Sequence, residues 1–217
     1  MHTIAYGAAT IAPNFEKFFA NPVRGVFAVV EAFGVSAEPL SQAIIDLMSA
    51  ADPDEERFLS LLQYQVNAAL KDFLGRSAVS FVLAVCEQNQ KIRLIRAGAS
   101  ASSLVCLGRL VPIMAPQLAN PRALMGEEVA IPGCALGLSV AAPWSESFVT
   151  VKPGEVVALH SSSLPIFAPE LQEVVGNLLA APSTDGALQA EAEAVLRGEW
   201  RGVQAVKGAT LVLFKAP

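Results

Sequence analysis

Acid, base and nucleophilic chemistry falls mainly to histidine, cysteine, serine and carboxylate side chains, and this chain of 217 residues groups few of them. Of its two histidines, His2 lies at the terminus and His160 adjoins Ser161. Alternation along a strand aims adjacent side chains at opposite faces, so His160 and Ser161 do not form a base and nucleophile pair. His160 reads as a strand-end residue hydrogen-bonded locally. Gly98-Ala99-Ser100-Ala101-Ser102 lacks the second glycine of a nucleophile elbow and falls in a hairpin turn. Cys86, Cys106 and Cys134 are odd in number and form no Cys-x-x-Cys pair, which marks reduced core thiols rather than a disulfide framework or a zinc site. No glycine-rich phosphate cradle follows a strand. Ser161, Ser162 and Ser163 have hydroxyls and amides that suit an anion, but the same residues suit a plain turn better. Trp144 and Trp200 are too isolated for a base-stacking platform.

Bulk properties exclude further classes. The net charge of −5 and the scattered Lys and Arg argue against nucleic acid, which needs clustered cations. Apolar residues make up 53% of the chain and the mean hydropathy is +0.46, values that raise the question of a membrane span. The longest uncharged stretch, Val129 to Ser145, carries Pro132, Gly133, Gly137 and Pro143, so it cannot supply about twenty continuous helical residues. No membrane partner is expected. Met1 to Ile4 carries no export signal, and the expected location is cytoplasmic. The length suits one domain over residues 1–217, and the high apolar content leaves room for self-association into a homo-oligomer.

The elements that must position any site are legible from periodicity. Val26 to Val30 is a short apolar run of strand formers. Leu40, Ile44, Ile45, Leu47 and Met48 recur at helical spacing, predicting a helix from about Glu38 to Ala50. Asp52-Pro53 and the following acids predict the start of a second helix running to about Phe73, with Phe58, Leu61, Leu62, Val66, Ala69 and Leu70 on one stripe. Val79 to Cys86, Ile92 to Ala97, Ser103 to Leu107 and Leu110-Val111 read as an antiparallel meander. Pro112 to Pro143 reads as an irregular excursion with one strand near Glu128 to Ile131. Val156 to His160 is a further strand, and Pro169 opens a helix. Asp185 caps another that ends near Arg197, and Thr210 to Phe214 closes the chain as a strand. Strands precede two helices twice, which predicts an α/β fold: a four-layer α-β-β-α sandwich of two antiparallel sheets flanked by helices.

This order, with turns at these places, resembles the type-2C metal-dependent Ser/Thr protein phosphatases, the PPM family, across nearly the whole chain. Four landmarks carry the resemblance. The family's strand followed by Asp-Gly-x-Gly-Gly falls on Val26 to Val30 and Glu31-Ala32-Phe33-Gly34-Val35. Its Gly-Asp-Ser-Arg turn falls on Gly98-Ala99-Ser100-Ala101. Its Pro-Gly-Asp, apolar strand, Ser-Asp-Gly-Leu pattern falls on Pro153-Gly154-Glu155, Val156 to His160 and Ser161-Ser162-Ser163-Leu164. Its Asp-Asn-x-Thr falls on Lys207-Gly208-Ala209-Thr210, and a short Asn-Glu-Asp match falls on Asn14-Phe15-Glu16.

The resemblance implies a site in which carboxylates hold two Mn²⁺ or Mg²⁺ ions that activate a water for attack on phosphate. The former metal positions read Glu16, Glu31, Ala32, Ala99, Ser162 and Lys207; of the four main aspartate landmarks, Glu31, Ala99, Ser162 and Lys207, only Glu31 stays anionic, and one or two glutamates are too few to hold the ions. An ammonium about 4 Å from a divalent cation is repelled by about 8 kcal/mol at an effective dielectric of 20, which sets Lys207 against an ion. Lys207 either pairs with Glu31 or Glu16, or is a solvated lysine at a strand start. The family's phosphate-gripping arginine would fall among Thr10-Ile11-Ala12-Pro13, where there is none. The expectation is a catalytically inactive relative without a metal cofactor and without catalytic residues. Its residual pocket would be formed by Glu16, Glu31, His160, Ser162 and Lys207, and it would act as a regulatory or protein-binding module. The alternative is a weak or unconventional metal-dependent Ser/Thr phosphatase.

Overall fold

Val26, Ala28, Val30 and Ala32 alternate with Phe27 and Val29, and both sets are buried. A run that is apolar on both faces belongs to the middle of a layered structure. The computed structural model describes residues 3–11, 16–34, 36–52, 57–71, 76–98, 100–106, 109–114, 118–119, 131–132, 135–136, 144–162, 186–197 and 209–216. In chain order its elements are β1 (Tyr6–Ile11), β2 (Glu16–Asn21), β3 (Val26–Gly34), α1 (Ala37–Ala50), α2 (Phe58–Leu70), β4 (Ser77–Cys86), β5 (Lys91–Ala97), β6 (Ala101–Cys106), β7 (Arg109–Met114), β8 (Leu118–Ala119), β9 (Ile131–Pro132), β10 (Ser145–Thr150), β11 (Val156–His160), α3 (Ala187–Leu196) and β12 (Ala209–Lys215).

The strands form two five-stranded sheets, one in the order β1-β12-β11-β6-β7 and the other in the order β10-β5-β4-β3-β2, with β8 paired to β9 apart from them. Every pairing is antiparallel. Between the sheets lie Phe27, Val29, Val82, Ala84, Ile92 and Leu94 from one and Val157, Leu159, Val212 and Phe214 from the other. Phe27 and Phe214 stack with ring centroids 4.3 Å apart across this layer. On the outer side of the second sheet, Val26, Ala28, Val30, Phe81 and Leu83 pack on Leu40, Ile44 and Met48 of α1 and on Leu62 and Val66 of α2. On the outer side of the first, Val156, Ala158, Leu211 and Leu213 pack on Leu188, Ala192 and Val195 of α3. The result is a four-layer α-β-β-α sandwich, because each central strand has two apolar faces to cover.

The helix α3 also closes one sheet margin. Gln189 accepts through its Oε1 from the backbone N–H of Ala8 in the edge strand β1 at 3.0 Å. A Cβ on Gly7 would stand 2.2 Å from the backbone carbon of Leu188, so this close approach requires glycine there.

The strand from Val156 to His160 and the final strand stand where the periodicity predicts, and so do the four strands from Val79 to Val111 with shifted ends. These four are not one meander: β4 pairs with β5 in one sheet and β6 with β7 in the other, so the chain crosses between the sheets after Ala97 rather than turning back as a hairpin. The strands β1, β2 and β10 were not expected. All three are edge strands, less fully buried than the central ones, so their patterns lack a continuous apolar run. The strand β7 runs on through Pro112, which an edge position tolerates because a proline needs no ladder donor there. The expected N-caps at Asp52 and Asp185 are corrected: α2 begins after Arg57 and α3 after Gly186, neither with a side-chain cap. The expected helix after Pro169 and most of the segment from Pro112 to Pro143 lie outside the described residues. Among the described residues no helix is long and apolar enough to cross a membrane.

Candidate functional site

The layer between the sheets is apolar at its centre and turns polar at one end. On β3 the inward series Phe27, Val29 continues to Glu31, and the cross-strand register sets Glu16 of β2 directly opposite Glu31. On the other side of Glu31 stands Ser80 of β4, fully buried. On β12 the inward series Phe214, Val212 continues to Thr210, whose hydroxyl lies 3.0 Å from that of Thr10 on β1. Just past β11, Ser161 is held to β12 twice: its N–H donates to the Thr210 carbonyl at 3.0 Å, and its Oγ accepts from the Thr210 N–H at 2.9 Å.

The two sheets meet here through one carboxylate. Glu31, 1% exposed, accepts from the backbone N–H of Ser162 on one oxygen and from the Ser162 hydroxyl on the other at 2.9 Å. Burial raises the Glu31 pKa to about 8, with the facing Glu16 adding to the rise and the hydrogen bonds from Ser162 and Ser161 opposing it. A buried carboxyl beside a second carboxyl keeps its proton, since both desolvation and like charge disfavour the anion.

His160 occupies a different face. Its neighbours Leu159 and Val157 point between the sheets, so alternation turns His160 outward, and it is fully buried there. Its Nδ1–H donates to the Ser161 carbonyl at 3.0 Å. Burial lowers its pKa to about 4. Ala32 likewise faces outward, in the core beneath the helices. The structure therefore brings Glu16, Glu31 and Ser162 together and sets His160 and Ala32 on outer faces. Ala99 and Lys207 lie outside the described residues.

Sequence reading missed Arg96. It takes the inward position of β5 that follows Ile92 and Leu94, opposite Val82, and is 7% exposed. The signal was present in Ile92-Arg93-Leu94-Ile95-Arg96: a permanent cation falls at the third inward place of an alternating strand. Gly98, two residues on, has φ +84° and would drive a Cβ to within 2.1 Å of the Ser80 Oγ, so only glycine lets this turn close on the Ser80 side of the site.

A two-metal centre needs more hard oxygen ligands than these. Divalent ions of this class take several carboxylate, carbonyl or water oxygens. The described residues supply Glu16 and Glu31, and both oxygens of Glu31 already accept from Ser162. Among the described residues no three His, Cys, Asp or Glu stand together as a metal cluster. These residues alone do not fit a dinuclear site.

No protein-family model matches the sequence, nor does any curated protein. Solved structures do match. The chain is similar to PppA of Pseudomonas aeruginosa at 18% identity over 99% of both chains with a TM-score of 0.76. It is similar to the PPM Ser-Thr phosphatase MsPP of Mycobacterium smegmatis at 16% identity over 100% of both chains, TM-score 0.76. It is also similar to the catalytic domain of the phosphatase PstP, at 20% identity over 98% of both chains, TM-score 0.72. That PstP structure is a complex with two manganese ions. It corrects the expectation of no metal cofactor, which rested on the missing aspartates: the same arrangement of sheets holds manganese in a neighbour, and Mn²⁺ belongs in every test of this site. Two antiparallel sheets with this strand order, flanked by helices and superposable on these structures along almost the full chain, give this protein the fold of the type-2C, or PPM, Ser/Thr phosphatases.

Proposed function

We propose that this chain is a phosphatase-fold protein that does not hydrolyse phosphoesters and works in the cytoplasm as a regulatory or protein-binding module. The observation that carries the reading is the state of Glu31: this landmark carboxyl group is buried, has its pKa raised to about 8, and has both oxygens occupied by Ser162. Hydrolysis in this fold family relies on anionic oxygens that organise ions and a water. A carboxyl that stays protonated near neutral pH, in a sequence whose other aspartate landmarks read Ala99, Ser162 and Lys207, is a poor starting point for that chemistry. A regulatory role has a parallel in PppA, described as a key regulatory component of T6SS. The surface around Glu16, Glu31 and Ser162 is the place where a partner would be recognised.

Steady-state hydrolysis of p-nitrophenyl phosphate and of a phosphothreonine peptide, each with Mn²⁺ and with Mg²⁺, tests the reading. Turnover at the level of buffer plus metal is expected. Metal-dependent turnover that Glu31→Gln abolishes would instead make the chain an unconventional phosphatase.

A further inference from the structure

The sheet margins differ in how they are protected. The edge strand β1 is covered by α3, β7 is interrupted by Pro112, and β2 is half-buried along most of its length. The remaining edge is β10. Val151, just past its end, donates its N–H to the Gln90 carbonyl beside β5 at 3.0 Å. Alternate residues of an antiparallel ladder turn their backbone groups to opposite sides, so Glu146, Phe148 and Thr150 point theirs away from β5. Among the described residues no strand pairs with them there.

The side chains along this edge complement a second copy of themselves. Glu146, Phe148 and Thr150 are exposed on one face, and the exposed Lys152 follows at the same spacing. Phe148 is 57% exposed, with the Arg93 guanidinium carbon 6.0 Å from its ring centroid. Neither Glu146 nor Lys152 has an ion pair among the described residues. A second copy laid antiparallel along this edge, with a two-fold axis at Val149, sets Phe148 opposite the partner's Thr150. The two residues then exchange N–H and C=O groups, since both face the free edge. The same register sets Glu146 opposite the partner's Lys152, and the symmetry repeats each pair. An axis at Phe148 would instead set Glu146 opposite the partner's Thr150 and lose both charge pairs, so charge selects the register.

We propose that β10 is a self-docking edge, through which two copies of this chain pair antiparallel about Val149 and join their sheets. The inference rests on this edge alone and does not depend on the proposed function. One pair of short strands buries less than a stable dimer needs, so the association is reversible and concentration-dependent.

Sedimentation velocity of the full chain from about 1 µM to about 0.5 mM tests it, with monomer expected at the low end and dimer at the high end. Glu146→Lys sets like charges opposite one another twice and should weaken the dimer about tenfold, as should Lys152→Glu. An equimolar mixture of the two variants should restore association, because every facing pair is then opposite in sign. A monomer throughout the range overturns the proposal. So does a dimer indifferent to either reversal, or a mixture as weak as its components. Hydrogen exchange reads the same edge without substitution: the Phe148 and Thr150 amides should slow in proportion to the dimer formed. Exchange there that is unchanged with concentration overturns the pairing.

Discussion

Glu31 and His160 have opposite effects on how stability follows pH, and the signs separate them. The unfolded chain gives up the Glu31 proton near the ordinary 4.5, whereas the folded chain keeps it to about 8. Between those values the unfolded state binds fewer protons, so stability falls as pH rises. His160 is the reverse: its folded pKa is lowered from 6.5 to about 4, so over that window the unfolded state binds more protons and stability rises with pH. From 4.5 to 6.5 the two slopes oppose each other. From 6.5 to 8 the Glu31 slope remains, about 1.4 kcal/mol per pH unit and about 2 kcal/mol in all. Urea unfolding at pH 6.5 and 8 should show this loss in the unaltered chain and not in Glu31→Gln. Equal losses in both proteins would show that Glu31 is not the group responsible. Glu31 was legible in the sequence because an acid ends an apolar run. Arg96 was equally legible by alternation, yet it matches no family landmark that would single it out. The hydrogen bonding of Glu31 by Ser162 was not legible, because residues 131 positions apart meet only when two sheets stack.

At the scale of the element, apolar runs identify buried strands and miss exposed ones. The strands β3, β4, β11 and β12 are apolar on both faces and read plainly. The edge strand β10 alternates half-buried and exposed residues, with Phe148 57% exposed, and looks like a loop next to the proline-rich segment before it. The margin at β1 depends on α3, which lies against Gly7 and takes up the Ala8 N–H through Gln189. Gly7→Ala should therefore push the helix off the strand. The expected cost is about 1–3 kcal/mol, typical of overpacking against a backbone that cannot yield. Denaturant unfolding measures the cost, and faster hydrogen exchange in α3 with other helices unchanged locates it. Unaltered stability would mean that the helix does not approach the strand so closely.

For the whole molecule, the layering was legible because the order of strand and helix signals repeats, and two apolar faces per central strand require helices on both outer sides. The phosphatase fold was legible from the positions of the turns rather than from the residues in them. Residues 1–217 are proposed as one domain, since α1, α2 and α3 cover the two sheets and the sheets share the core around Phe27 and Phe214. A single unfolding transition, coincident by far-UV circular dichroism and by tryptophan fluorescence, is expected. Trp144 reports on the helix-side core through its edge contact with Phe81, centroids 4.9 Å apart. Two separated transitions would divide the chain into independent units.

The claim that this fold has given up hydrolysis is tested most directly by a single-turnover experiment. Protein in excess is incubated for hours with a radiolabelled phosphothreonine peptide and saturating Mn²⁺ at pH 7 and again at pH 9, where Glu31 is ionised. Phosphate release no faster than with Mn²⁺ alone is expected at either pH. Release of one phosphate per peptide that disappears in Glu31→Gln would contradict it.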